Sequence, residues 1–338
     1  MTVADLEHFK DLLLEREGVL SDWLECCSEV NAGETAKVQS LLGEIKAALH
    51  RIESKEYGEC TVCHGTVEKF RLEVQPVRQV CLECISDEEK MVLEEELYLA
   101  SKIHRALLPQ HVERIDGFDI AVKSLAARVV GGDYYDFLPS ADGGLVRVVI
   151  ADSMGKGLPA GLVMSNLQGA LRILAEAHDS PADLLKQLNR WLCRNIPVEN
   201  FITLACIALR PRPDGRTQLV HANAGHCPSI IVHTDGSTEL LSATGTFVGV
   251  HADFTYTEET VTLSPGDLLV LYTDGVTEAE NPHGEMFGDE RLVEFLTNRR
   301  TAPLDALVEE LTDEIQYFSD RPDPADDFTV IALRKTGA

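Results

Sequence analysis

The sequence predicts an α+β protein, in which a large C-terminal domain of two packed β-sheets with paired helices outside follows a smaller helical, cysteine-rich part. Three observations predict it. From Gly117 onward, short runs rich in β-branched and aromatic residues follow one another. They are mostly joined by turn signals (Asp142-Gly143-Gly144, Asp214-Gly215, Asp235-Gly236, Pro265-Gly266), which favours antiparallel pairing. Helical periodicity interrupts these runs at 160–177 and 182–195, then at 289–299 and 303–318, giving two pairs of helices for two sheet faces. Before Gly117 the pattern is helical, broken by two C-x₂-C pairs.

Composition excludes several classes. Hydrophobic residues make up 44% of the 338, enough for a sizeable core. No apolar run approaches the roughly 18 residues of a membrane span, and FITLACIAL reads as a strand. The opening MTVADLEHFKDL is acidic and amphipathic, which predicts a helix, no secretory leader and a cytoplasmic location. Thirty basic against 56 acidic residues give a net charge of −26, a surface that repels phosphate backbones and anionic lipid. Nucleic acid and membrane are therefore disfavoured as partners. Nine cysteines without a leader predict reduced thiols and metal binding, not disulfides.

Four segments are expected in order. Residues 1–56 read as a helical hairpin. Leu6, Phe9, Leu13, Leu20, Trp23, Cys27 and Val30 fall near heptad spacing with Arg16 as a gap, Asn31-Ala32-Gly33 turns, and Val38, Leu41, Ile45, Leu49 and Ile52 repeat the pattern. Packing of the two helices on each other accounts for both stripes; a partner-binding face is the alternative. Residues 57–85 place Cys60, Cys63, Cys81 and Cys84 as C-x₂-C-x₁₇-C-x₂-C, a spacing that can close a tetrahedral thiolate site around one structural Zn²⁺. His64 is expected at the surface, and Cys26, Cys27, Cys193, Cys206 and Cys227 in packing roles. Residues 86–110 form a linker helix: Ser86 and Glu89 make a capping box, Leu93, Leu97, Ala100, Ile103 and Leu107 make one stripe, and Pro109 ends it. Such a narrow seam suggests a homodimer through this helix, with folding back onto its own domain as the alternative. Residues 111–338 are the β-rich domain.

The stretch VVIADSMGKGLPAGL, 148–162, superficially suggests a phosphate loop. It lacks the Walker spacing, because Ile150 stands where the first glycine belongs and Gly157 follows Lys156. What it does offer is Asp152 at the end of an apolar strand. Other acids sit alike: Asp133 and Asp136 after Gly131-Gly132, Asp274 at the end of LLVLYT, and Asp326 and Asp327 just before FTVIAL. Each alone is an ordinary turn residue. Together, with no cysteine or histidine nucleophile arrangement beside them, they suggest hard oxygen ligands for Mg²⁺ or Mn²⁺.

The ordered set GGDYYDF, ADSMGKGLPAGLVMS, NAGHCP, LYTDGVTEA and DDFTVIAL resembles the SpoIIE/RsbU-type serine phosphatases, a bacterial branch of the protein phosphatase 2C (PPM) superfamily. The resemblance spans about 100–335. It implies an αββα sandwich and a site for two Mn²⁺ or Mg²⁺ held by Asp133, Asp152, the Ser153 carbonyl, Asp274 and Asp326, with Asp327 and His226 supporting. It further implies a metal-dependent protein serine/threonine phosphatase acting on a phosphorylated STAS-domain anti-anti-sigma factor, under control of the N-terminal half, with helix 158–174 repositioned by the signal. Lys156 is expected as a solvated turn residue. Residues 41–85 resemble the DksA/TraR zinc finger, whose members enter RNA polymerase; here the hairpin is short and SEVNAGE lacks an aspartate pair, so a sensor, dimerisation or docking role is expected. The competing expectation is a zinc-finger regulator that binds RNA polymerase and keeps an inactive phosphatase fold as scaffold.

Overall fold

The computed structural model describes residues 3–26, 32–109, 114–140, 143–197 and 200–337. Cys27, Val30, Asn31 and Asp142 lie outside them, as do the side chains of Trp23 and Cys26. The chain divides into two compact units, Met1–Glu95 and Glu96–Ala338.

In the first unit, α1 (Val3–Cys26) and α2 (Ala32–Glu53) pack as a hairpin. The knuckles follow, with a short helix α3 (Lys69–Val74) between them that the helical periodicity did not signal. Phe9 and Leu13 of α1, Ile45 and Ala48 of α2, and Tyr57, Val67 and Leu72 share one core with Cys60 and Cys81. Hairpin and knuckles therefore bury each other's apolar faces. The Tyr57 hydroxyl donates to the Pro76 carbonyl at 2.7 Å, satisfying the one polar atom this ring carries inward.

Helix α4 (Asp87–Leu107) begins as its capping box predicts, with the Glu89 amide donating to Ser86 Oγ at 3.1 Å. Its buried residues are Ser101 and His104, whereas Leu93, Leu97 and Ile103 of the predicted stripe are exposed.

The second unit is a sandwich. One sheet runs β2 (Asp133–Pro139), β3 (Val146–Ser153), β4 (Ile202–Pro211), β5 (Thr217–Ala224), β8 (Glu259–Leu263); the other runs β1 (Phe118–Leu125), β10 (Phe328–Lys335), β9 (Leu268–Tyr272), β6 (Ser229–Val232), β7 (Thr238–Leu241). All paired strands named here are antiparallel. Because side chains alternate along a strand, each sheet has an inner and an outer face. The inner faces meet through Tyr135, Phe137, Val148, Ile150 and Ile207 on one side and Leu269, Leu271, Ile331 and Leu333 on the other. Tyr134, Val149 and Ala151 point outward under α5 (Leu158–Ala175) and α6 (Pro181–Asn195). Val270, Val330 and Ala332 point outward under α8 (Gly288–Asn298) and α9 (Leu304–Ser319). The order is helices, sheet, sheet, helices.

Two details depart from the sequence reading. Pro265-Gly266 does not close a hairpin: it carries the chain from β8 in one sheet to β9 in the other. Gly266 takes a left-handed φ of 93°, and Asp267 is buried beneath it, accepting from the Ser264 amide at 2.8 Å. Asp235-Gly236 does close a hairpin, but its second strand, β7, is a short edge strand with no β-rich run to announce it.

Candidate active site

All the motif acids except Asp136 converge on one end of the inter-sheet core, and alternation explains how. Along β3, Val148 and Ile150 face inward, so Asp152 does too. Register places Asp133 directly opposite Asp152 across the β2–β3 pair. On the facing sheet, Leu269 and Leu271 face inward and the next residue of that parity is Thr273, just before Asp274. On β10, Ile331 and Leu333 face inward, and Thr329 precedes them by the same step. The apolar interior thus gives way at one edge to carboxylates and hydroxyls. Asp274 opens the short helix α7 (Asp274–Thr277).

Asp133 is buried, and its Oδ2 accepts from Thr329 Oγ1 at 2.7 Å and Thr273 Oγ1 at 2.8 Å. Its Oδ1 is buried with no hydrogen-bond partner among the described residues. Burial above all, then the nearby Asp152, pushes the Asp133 carboxyl well above the usual carboxylate range, against the two hydroxyl bonds. Asp152 is pushed up to about 7 by burial, with Asp274, Asp326 and Asp327 adding repulsion. Asp274 is raised by burial, Glu278 and Asp326. An orphaned buried carboxylate oxygen among mutually repelling acids is what a site for divalent cations looks like without them. The donors are all oxygens, which suits Mg²⁺ or Mn²⁺.

The two adjacent acids are used differently. Asp326 is half exposed and its Oδ2 pairs with Lys156 Nζ at 2.7 Å, so Lys156, exposed as the sequence reading expects, is also an ion-pair partner. Asp327 is buried, its Oδ1 accepting from the Ala127 amide at 2.7 Å and its Oδ2 from the Gly132 amide at 2.5 Å. Close approach demands glycine at 275, where a Cβ would stand 2.1 Å from the Asp327 carbonyl oxygen.

Ser153 ends β3, its amide donating to the Gly132 carbonyl at 3.2 Å. His226 is buried beside the site. Its Nδ1 meets Thr203 Oγ1 at 2.8 Å, and its backbone amide donates to Asn223 Oδ1 at 2.8 Å. Burial pulls its imidazole down to about 4, so it is neutral at physiological pH. Asp136 lies elsewhere. Its parity points it outward, where Oδ2 accepts from Tyr134 Oη at 2.6 Å and Arg172 Nε of α5 at 2.8 Å. It anchors α5 to the sheet. Thr273, Thr329 and Thr203 were missed by sequence reading; the signal available was the inward parity of β9, β10 and β4.

At the cysteine cluster, the four Sγ atoms of Cys60, Cys63, Cys81 and Cys84 lie within 4.8 Å of one another, and Cys63 and Cys81 are 3.6 Å apart. Tetrahedral zinc with sulfur at about 2.3 Å separates its sulfurs by about 3.8 Å. Backbone amides of Cys81 and Gly65 point at Cys60 and Cys63 Sγ, each at 3.4 Å, and amide bonds of this kind hold the Cys60 thiol below its usual range. His64 is exposed and meets Glu59 at 3.0 Å, leaving the cluster to the four sulfurs. Cys206 is buried in the outer core of the sandwich, a packing role.

The profile of the family described as Stage II sporulation protein E (SpoIIE) matches residues 142–336. Phosphoserine phosphatase RsbU of Bacillus subtilis is 30% identical over 244 residues, covering 72% of this chain and 71% of that protein. Protein IcfG of a Synechocystis strain is 29% identical over 267 residues, covering 70% of this chain but 41% of its own length. Among solved structures, the SiaA-PP2C domain of Pseudomonas aeruginosa superposes with a TM-score of 0.65 at 23% identity, covering 74% of this chain and 99% of that domain, a likeness of fold. Sandwich, converging acids and family profile agree: the chain belongs to the SpoIIE family of PP2C-type serine phosphatases.

Proposed function

We propose that the chain hydrolyses phosphoserine or phosphothreonine on a regulatory protein, with Asp133, Asp152, the Ser153 carbonyl, Asp274 and Asp326 holding two Mn²⁺ or Mg²⁺ ions. The observation that carries this is the buried, unpartnered Oδ1 of Asp133 facing Asp152 across the strand pair. Bound there, such cations would lower the pKa of a shared water and offset charge on the phosphoryl oxygens. The protein's own part is to hold the acids in place. Thr273 and Thr329 fix one oxygen of Asp133. Lys156 pairs with Asp326 from the solvent side and would be available to a substrate phosphate. His226 supports the 223–227 turn through Asn223 and stays neutral, because its burial disfavours the charged form.

The relatives named phosphoserine phosphatase support a phosphoprotein substrate, for which we favour an STAS-domain anti-anti-sigma factor of a partner-switching pathway. The four cysteines would hold one structural Zn²⁺ in a domain spanning 57–85, after a hairpin of 1–56. Residues 86–110 would transmit its state to a phosphatase domain of 111–338. The exposed Leu93, Leu97 and Ile103 on α4 give a homodimer a seam, and Gln168 of α5 reaches the Leu107 carbonyl at the end of α4 at 3.3 Å. Among the described residues no helix is long and apolar enough to cross a membrane.

The test is manganese-dependent turnover of a small aryl phosphate by the wild-type chain and by Asp152→Asn. Turnover that survives the substitution would remove the carboxylate site from the chemistry. A rate on a seryl-phosphorylated STAS protein no higher than on the aryl phosphate would remove the protein substrate.

A further inference from the structure

The segment 126–132 links β1 to β2 and ends against Asp133, without regular secondary structure of its own. Side chains from two distant parts of the chain border it, and one of them grips it. The Asp327 carboxylate takes the amides of Ala127 and Gly132, one near each end, at 2.7 and 2.5 Å. From α4, the buried His104 stands beside the loop, lining the same space as Gly131 and Asp327. Contacts around the loop are close: a Cβ on Gly131 would stand 3.2 Å from the Asp327 carboxylate, and one on Gly161 would stand 2.3 Å from Val130 Cγ1 and 3.4 Å from His104 Cδ2. A cavity of about 460 Å³ borders His104, Gly131, Asp133 and Asp327. On the side of that cavity, the two Asp327 bonds are the loop's polar anchors.

We propose that Asp327 is a positioning residue: by gripping both ends of 126–132 it sets Asp133, while His104 ties the same loop to α4. This rests on the reading of Asp133, Asp152, Asp274 and Asp326 as the cation-binding set. Consecutive Cα atoms are about 3.8 Å apart and the peptide between them is rigid, so displacing Gly132 displaces Asp133. Both Asp327 oxygens are engaged by amides, whereas Asp326 keeps Oδ1 for a single local amide and Oδ2 for Lys156. The adjacent acids thus have separate tasks, one toward the ions and one toward the loop. A change in the seat of α4 that moved His104 would reach Asp133 through three residues.

The experiment uses the full chain and two readouts, manganese binding by titration calorimetry and the manganese dependence of aryl phosphate turnover. Loss of an orienting partner weakens metal binding by about 10–100-fold. Asp327→Ala is expected to raise the half-saturating manganese concentration by about tenfold and to keep most of the wild-type rate at saturation. Asp327→Asn, which keeps one acceptor, and His104→Ala are expected to raise it less, and in the same direction. Circular dichroism establishes folding; should Asp327→Ala not fold, Asp327→Asn and His104→Ala carry the test. An unchanged half-saturation in folded Asp327 variants overturns the proposal. So does a rate lost at every manganese concentration, since that makes Asp327 a ligand; an Asp327 effect without a His104 effect overturns the tie to α4. Failure of the wild-type chain to bind manganese or turn over substrate would instead sink the phosphatase reading itself.

Discussion

The chain gathers side chains suited to cations in two places, and they are built on opposite plans. Cys60, Cys63, Cys81 and Cys84 come from one short segment, and their sulfurs are brought together by two tight knuckles. The acids at the sandwich edge come from positions as far apart as 133 and 327, brought together by the register of strands in two sheets. One cluster is soft and closed by local turns; the other is hard and exists only once the whole domain has folded. The first can shape its own surroundings, whereas the second is imposed on side chains that repel one another. A metal should therefore hold up the fold in one place and merely be held by it in the other.

The largest expected effect tests the first half of that contrast. On the proposal that the cysteine cluster holds zinc, a strong chelator, or replacing Cys60 by Ser, should unfold the first unit, because structural zinc in small modules contributes about 10 kcal/mol or more. Far-UV circular dichroism and zinc stoichiometry would report it. Loss of zinc without loss of helix would mean that the Phe9, Leu13 and Leu72 core suffices alone.

Next comes Asp152→Asn. Turnover should fall by about a thousandfold, roughly 4 kcal/mol of transition-state stabilisation. The melting temperature should be unchanged or higher, since a buried repelling charge is gone. A large drop in melting temperature would break the comparison, showing the acids to be part of what holds the sandwich.

The pH dependence sharpens the same point. In manganese-free protein Asp152 is raised from an ordinary value of 3.8 to about 7, so the folded state binds the extra proton. Its contribution to stability is complete below about 3.8 and is lost as pH rises through about 7. Chelated phosphatase domain should therefore melt lower at pH 8 than at pH 5, with manganese restoring the loss at pH 8. Equal melting at both values would contradict the buried, unneutralised cluster.

The smallest effect belongs to Lys156→Ala. A half-exposed ion pair contributes about 1 kcal/mol at most, so folding should barely change. The substrate KM should rise several-fold with kcat little altered, which steady-state kinetics on an aryl phosphate would detect.

Legibility in the sequence followed the same divide between local and distant. Spacing alone brought the four cysteines together, because both knuckles are written within a few residues each. Strands such as β2 and β10 were legible as runs inside GGDYYDF and DDFTVIAL, since their aromatic and β-branched residues are almost all buried. The edge strand β7 was not, because Thr238, Glu239 and Leu240 carry little burial and take their pairing from β6. Pro265-Gly266 announced a turn but not that the next strand belongs to the other sheet, which depends on packing. Among the acids, the motifs signalled Asp133, Asp152, Asp274 and Asp326, while counting parity from Tyr134 and Tyr135 would have set Asp136 apart. The threonines at 273 and 329 were silent because their role appears only where two strands stand side by side.

Those two hydroxyls have a consequence for ion choice. With Oδ2 of Asp133 committed to them, this side chain can present a cation with a single oxygen. One-oxygen coordination suits compact octahedral ions; larger ones such as calcium recruit both oxygens of a carboxylate. Thr273 and Thr329 would thus discriminate by denticity, sorting ions that they never touch.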